Sequence, residues 1–388
     1  MALRGDRRER ADRNAVYVSR LQIPGAVSAF IEFAVERTRS VFSGAPRATR
    51  LGSAFKEPRG TVRQSHRVCV VYACHVAPRE IRNRLIEAQS AVSNMKVDGA
   101  AIEILGQRLS YQPLEVRTPD GLRVAAQDWR SAVRSHGQIR DILLIHGISQ
   151  SHLCWFKQFS SPLRERYRLV TYDIRGHGGS DKPQSQEYYR EGARWGGEVQ
   201  AVIETAGLVR PVIVAWSYAG RVALDYLQLA GGQAIAGLVL VAATSCDDPS
   251  MFGTAASLLK RMAAAIDVSE KLDATREFLR KCVHQSLPVT EQELMLRYNL
   301  LVPAAVLSAM GGRSAPYKTL LGSLNVPVLA IHGAEDCINL PAMARYTAHA
   351  CPYGRALVYD GVGHSPFWEA PLRFNADLTD YLDALPGE

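Results

Sequence analysis

Nothing in this 388-residue sequence reads as a membrane span. The longest apolar candidate, Leu21 to Ala34, follows an arginine-bearing stretch and is interrupted by Glu32, which makes it too short to cross a bilayer and a poor signal peptide. Paired cysteine spacing is lacking too. The seven cysteines (Cys69, Cys74, Cys154, Cys246, Cys282, Cys337 and Cys351) are scattered and odd in number, which predicts free thiols in a reducing, cytoplasmic setting. His66, Cys69, Cys74 and His75 cluster, but their spacing matches no zinc pattern, so no metal is expected. Zinc-finger, basic-zipper and RNA-recognition patterns are missing, which argues against a nucleic-acid partner despite a formal charge of +8.

That charge is unevenly placed. Residues 1–94 hold 17 Lys and Arg against 8 Asp and Glu, whereas the remainder holds 29 against 30, so the main body is close to neutral. The basic segment uses arginine for 16 of its 17 cations, and its hydrophobic periodicity is weak. It is expected to be disordered or loosely docked helix, with Ile31 to Val41 the best local helix. Met95 falls just before the first convincing structural element, which raises the hypothesis that the functional protein starts there. Terminal sequencing of the natively expressed protein tests it.

From about residue 111 the order is legible. Leu114 to Thr118 and Leu122 to Trp129 flank Pro119-Asp120-Gly121, the pattern of a hairpin. Short apolar runs follow at Ile142 to Ile145, Leu169 to Tyr172, Val212 to Ala215, Leu238 to Ala242 and Val328 to Ile331, which suits strands buried on both faces. Helical segments alternate with them; in the clearest, Ala219, Val222, Ala223, Tyr226 and Leu227 share one face. The pattern predicts an α/β fold, a doubly wound and mostly parallel sheet occupying residues 95–388. Alternation breaks between about Cys246 and Leu321, where a helical lid is expected after the sixth strand. Thr290-Glu291-Gln292-Glu293 has the form of a capping box, and Met251, Met262, Met295 and Met310 serve either an adaptable apolar surface or the packing of the lid itself.

Ser217 lies in Ala215-Trp216-Ser217-Tyr218-Ala219-Gly220, between an apolar strand and a helix. A tight strand-to-helix turn projects such a serine outward while backbone N–H groups at the helix start point at the same spot. The competing reading is a plain helix N-cap. A serine hydroxyl needs a general base, and the base an orienting carboxylate. His364 in Gly363-His364-Ser365 and Asp336 in His332-Gly333-Ala334-Glu335-Asp336 each sit just past a strand end, the edge of a parallel sheet where reacting groups gather. Asp247 and Asp248 are rivals for the acid, and Asp360 reads as structural. Backbone N–H groups of Ile148 and Tyr218 are expected to form an oxyanion hole, with Gly147 letting the chain turn under the substrate. His146 and His152 read as loop-structuring or substrate-contacting groups, and His177 as a turn-stabilising one. Trp155 and Trp216 flank the site, either as substrate contacts or as core.

Leu144-Ile145-His146-Gly147, Tyr172-Asp173-Ile174-Arg175-Gly176-His177-Gly178-Gly179-Ser180, the serine elbow, Ile331-His332-Gly333 with Asp336, and Gly363-His364 stand in the order found in the α/β-hydrolase superfamily. The sequence resembles that superfamily over about residues 111–388, and most closely its small lidded esterases and cofactor-free haloperoxidases. It departs in the elbow, where alanines at 215 and 219 replace the glycines of G-x-S-x-G. The resemblance implies a Ser217, Asp336, His364 triad that cleaves a small-molecule carboxylic ester or lactone through an acyl-enzyme and needs no cofactor. It also leaves room for perhydrolysis by the same triad, for cleavage of a diketone C–C bond, or for a ligand-binding module without useful turnover. Serine at 217 disfavours the epoxide-hydrolase and dehalogenase routes, which use a carboxylate nucleophile. Activity is expected to fall as pH drops through an ordinary histidine pKa of about 6.5.

Overall fold

Valine, isoleucine and leucine fill both faces of the apolar runs, and such runs are stable only where the sheet is covered on both sides. The computed structural model describes residues 100–130 and 140–386. The basic segment, the helix expected at Ile31 to Val41, the His66 to His75 group and the start proposed at Met95 lie outside them.

Nine strands form the sheet among the described residues: β1 (Ala100–Ile104), β2 (Gln107–Arg117), β3 (Arg123–Asp128), β4 (Asp141–Ile145), β5 (Arg168–Tyr172), β6 (Val212–Trp216), β7 (Gly237–Val241), β8 (Val328–Gly333) and β9 (Gly354–Tyr359). Their spatial order is β1-β2-β3-β5-β4-β6-β7-β8-β9. The first three pair antiparallel and β5 to β9 run parallel, so the doubly wound sheet is as expected. Winding reverses at β4, which has β5 on one side and β6 on the other, and this is where an open parallel sheet leaves a crevice at its carboxyl edge.

The hairpin at Pro119-Asp120-Gly121 closes through Gly121 N–H to Thr118 O at 2.9 Å and Thr118 N–H to Leu122 O at 3.0 Å. One strand was not anticipated. β1 joins β2 through Leu105 and Gly106, both at positive φ (49° and 78°), a two-residue turn whose twist suits a hairpin. Glu103 interrupts its short apolar stretch, and with the leucine in that turn this hides it from a search for apolar runs. The helical insertion therefore follows the seventh strand of this chain, not the sixth.

Eight helices of seven residues or more are described: α1 (Gly192–Ala206), α2 (Ala219–Ala230), α3 (Ser257–Ala264), α4 (Val268–Lys281), α5 (Val289–Leu300), α6 (Ala304–Met310), α7 (Ala342–Ala350) and α8 (Pro371–Asp383). The face read from sequence on α2 is buried at every position. α3 to α6 make up the block between β7 and β8. The capping box is not formed there. Pro288 precedes α5 with extended backbone and its carbonyl accepts from the N–H groups of Glu291 and Gln292, so Thr290 falls inside the first turn rather than at its head. Met262, Met295 and Met310 are buried, which makes packing their main role.

Candidate active site

β6 delivers Ser217 in a conformation that side chains avoid. Its φ is +58°, in the left-handed region, which costs about 1–2 kcal/mol for a residue with a Cβ. Neighbours hold it there: Ser217 N–H donates to Val241 O at 3.0 Å, and Ser217 O accepts from Gly220 and Thr244 N–H, each at 3.0 Å. A simple N-cap is not observed, because Ser217 caps no N–H of α2 with its side chain.

The alanine-flanked elbow now has a physical account. Ala215 and Ala219 are fully buried, so their methyl groups are accommodated by the surrounding packing. The close approach is one residue further on, where a Cβ on Gly220 would lie 2.7 Å from Thr244 O and 2.9 Å from Ala243 Cβ. Gly220→Ala should therefore cost roughly 2–3 kcal/mol by overpacking, read as a lower urea midpoint with unchanged slope. An unaffected midpoint would show that α2 can retreat from β7.

Ser217, His364 and Asp336 are brought together from three strand ends. His364 Nε2 lies 2.9 Å from Ser217 Oγ, and His364 Nδ1 lies 2.7 Å from Asp336 Oδ2. All three residues are buried, with Ser217 the least so and open to the cavity described below. Asp336 Oδ1 accepts the backbone N–H of Ile338 at 2.8 Å and of Asn339 at 3.1 Å. His332 Nε2 stands 2.9 Å from Asp336 Oδ2 and 2.8 Å from Asn339 O; a carbonyl only accepts, so this nitrogen carries a proton. Burial pushes the Asp336 pKa up, but the charges and hydrogen bonds of His364 and His332 outweigh it and bring it down to about 2. The rival acids are elsewhere: Asp247 pairs with Arg221 at 2.9 Å, Asp248 caps the short helix at Pro249–Met251, and Asp360 is exposed.

Opposite Ser217 runs the loop after β4. A Cβ on Gly147 would approach Ser217 Cβ to 3.0 Å and Trp216 O to 3.2 Å, so glycine permits the loop to close on the serine. His146 Nδ1–H donates to Gly147 O at 2.8 Å, Gln150 N–H donates to the same oxygen at 3.3 Å, and His177 Nε2 accepts from Ser149 N–H at 2.9 Å. With these partners taken, the N–H groups of Ile148 and Tyr218 have no acceptor among the described residues, and both residues line the cavity with Ser217. Two free donors beside one hydroxyl can stabilise an oxyanion.

Neither predicted tryptophan reaches that cavity. Trp155 is wholly buried against Phe367, with ring centroids 4.3 Å apart, so the expected substrate contact gives way to core packing. Trp216 is buried beneath the site and its indole N–H donates to His364 O at 2.9 Å, which makes it a support of the histidine rather than a wall of the cavity. Glu369, quoted in the sequence motif without a role, accepts from Gly363 N–H at 2.9 Å and Ser365 N–H at 3.3 Å, on either side of His364. Asp173 ties the neighbouring loops by accepting from His152 N–H at 2.8 Å and Gly179 N–H at 2.8 Å.

The cavity measures about 410 Å³, and its far wall comes from the helical block through Leu259, Ala263, Leu307 and Met310. A second hollow of about 500 Å³ lies between α4 and α5, and Ser217, His364 and Asp336 are not among its lining residues. Among the described residues no helix is long and apolar enough to cross a membrane.

His146 and His177 carry a consequence for acid stability. Burial, the dominant influence on each, lowers their pKa to about 4 and about 3, against about 6.5 in an unfolded chain. Between those limits the unfolded chain binds two protons that the folded chain does not, so stability rises with pH there and is lost as pH falls from about 6.5. Asp336 acts in a separate, lower window, holding its contribution above about 3.9 and losing it toward about 2. Urea unfolding from pH 7 to 4.5 should show a slope approaching about 2.7 kcal/mol per pH unit from the two histidines. Substituting His177→Gln should remove about half of it, and an unchanged slope would locate the proton uptake elsewhere.

Comparison with known proteins follows the same outline. A family model described as "Alpha/beta hydrolase family" matches residues 142–377. A Burkholderia cenocepacia crystal structure, provisionally assigned as an aryl esterase, is 33% identical, has a TM-score of 0.66, and aligns over 70% of this chain and 98% of its own. The esterase RhEst1 from Rhodococcus sp. is 28% identical with a TM-score of 0.64, covering 71% and 99%. A pimeloyl-[acyl-carrier protein] methyl ester esterase of Nitrosomonas europaea is 25% identical over 261 residues, 62% of this chain and 95% of that protein.

Proposed function

The chain belongs to the alpha/beta hydrolase family, and from that premise we propose that it cleaves a carboxylic ester or lactone through an acyl-enzyme on Ser217. The observation that carries this reading is the continuous line from Ser217 Oγ through both His364 ring nitrogens to Asp336, at 2.9 and 2.7 Å. Relatives named as esterases support the reaction class.

Asp336 stays ionised at every working pH, so it accepts the Nδ1 proton of His364 and leaves Nε2 with a lone pair facing Ser217. As Ser217 Oγ attacks the ester carbonyl, Nε2 takes its proton and Asp336 stabilises the imidazolium. The carbonyl oxygen becomes an anion and takes hydrogen bonds from Ile148 and Tyr218 N–H, each worth about 3–4 kcal/mol of barrier lowering. Collapse expels the alcohol, which receives the proton from Nε2. Water then repeats the sequence in reverse roles and frees the acid. No step draws on a metal or an organic cofactor.

The helical block serves as the lid of this site, its apolar residues at α3 and α6 bounding the space for the acyl group. Labelling with a fluorophosphonate, followed by peptide mapping, tests the assignment. Modification should fall on Ser217; a folded protein left unlabelled there would remove the hydrolase reading.

A further inference from the structure

We propose that the cavity beside Ser217 takes an ester that itself carries a carboxylate, received by Lys260, Arg313 and the Tyr218 hydroxyl; this deepens, and rests on, the ester-hydrolase reading. The cavity wall includes three cationic side chains, Arg221, Lys260 and Arg313, and not one carboxylate. Two of the cations are compensated from behind, Arg221 by Asp247 at 2.9 Å and Arg313 by Asp225 at 2.5 Å. Lys260 is exposed and has no ion-pair partner among the described residues, so the cavity presents one uncompensated positive charge. A singly charged group matches it.

Two buried donors point to the same chemistry. The Arg313 side chain is 4% exposed, and while Nη2 donates to Asp225, Nη1 has no acceptor among the described residues. The Tyr218 hydroxyl, close enough to Arg313 to feel its charge, is also buried without a partner. Were the guanidinium to donate to the phenol oxygen, the phenol hydrogen would still lack an acceptor. Buried donors are nearly always satisfied in folded proteins, and the residues that carry these two line the space where substrate must sit. Both atoms are out of reach of solvent, so a rotation of the two side chains toward the cavity would present them to carboxylate oxygens, which also complement Lys260. Leu259, Ala263, Leu307 and Met310 complete the wall, an apolar surface suited to a short hydrocarbon spacer between carboxylate and scissile carbonyl.

The experiment compares three chromogenic esters on the full chain: 4-nitrophenyl butyrate, the mono-4-nitrophenyl ester of glutaric acid, and 4-carboxyphenyl butyrate. At low salt one of the carboxylate esters should exceed the neutral ester in kcat/KM by about tenfold or more, and its position shows whether the charge belongs on the acyl or the alcohol side. The preference should shrink in 1 M salt, where the screening length is about 3 Å, and should fall in Lys260→Met and in Tyr218→Phe, which keeps the backbone donor. Equal or better use of the neutral ester by wild type, or a preference that survives both substitutions, would overturn the proposal while leaving the ester-hydrolase reading intact. Cleavage of none of the three, with Ser217 unlabelled by fluorophosphonate, would bring down the hydrolase reading and this proposal with it.

Discussion

Ser217→Ala should lose fluorophosphonate labelling and reduce ester turnover by about 10⁴- to 10⁶-fold while leaving the protein folded. The size of the effect follows from what Ser217 alone supplies. Without its oxygen no acyl-enzyme forms, His364 has no proton to take, and only the Ile148 and Tyr218 donors and substrate placement remain. Folding should hardly notice: the backbone of residue 217 is fixed by Val241, Gly220 and Thr244, none of which hydrogen-bonds to the hydroxyl, and the left-handed φ strains alanine as it strains serine. Near-UV circular dichroism and the thermal midpoint should therefore match the parent. Turnover retained at more than about one hundredth of the parent rate would assign the nucleophile to another residue. The same variant, lacking turnover, is a means of measuring ester binding without hydrolysis.

The elbow also shows how far sequence reaches. Val212 to Trp216 is apolar throughout and α2 carries a clean buried face, so the strand, the helix and the exposed residue between them are legible from local pattern. The glycine pattern is legible only in part. Ala215 and Ala219 break the expected signature, yet the tight contact lies at Gly220, and that depends on where the Ala243-Thr244 backbone passes, a fact of tertiary packing. The groups that hold the histidine are of the same kind. Trp216 reaches His364 O across 148 positions of chain, and Glu369 brackets His364 through two N–H groups while also accepting from His284 N–H at 2.6 Å. Motif order could place Asp336 near His364, but the second histidine on the carboxylate, His332, emerges only when β8 turns back through Asn339. β1 is hidden for a different reason: Glu103 breaks its short apolar run and its turn lacks the usual asparagine or aspartate.

Asp336→Asn is the substitution that most directly separates geometry from chemistry. The carboxylate has a divided environment, with Oδ1 accepting two backbone N–H groups from Ile338 and Asn339 and Oδ2 facing the ring nitrogens of His364 and His332. An asparagine has one acceptor and one donor end. Two fixed backbone donors require the amide oxygen on the Oδ1 side, which turns the amide NH₂ toward both histidines. His364 can then meet it only by presenting Nδ1 as an acceptor, so its proton moves to Nε2. That tautomer donates to Ser217 Oγ and cannot take its proton, and a fall in kcat of about 10⁴-fold is expected with little change in KM. His332 Nε2–H faces the same NH₂, so stability should fall as well, by about 1–3 kcal/mol for a pair of opposed donors in a buried site. Steady-state kinetics on a chromogenic ester, read beside the urea midpoint, give both numbers. If kcat holds within tenfold, the carboxylate is not what fixes the His364 tautomer. Raising the pH should restore part of the rate, because hydroxide can take the Ser217 proton that a protonated Nε2 cannot accept, and a rescue that grows with hydroxide concentration would mark the loss as one of proton placement rather than of structure.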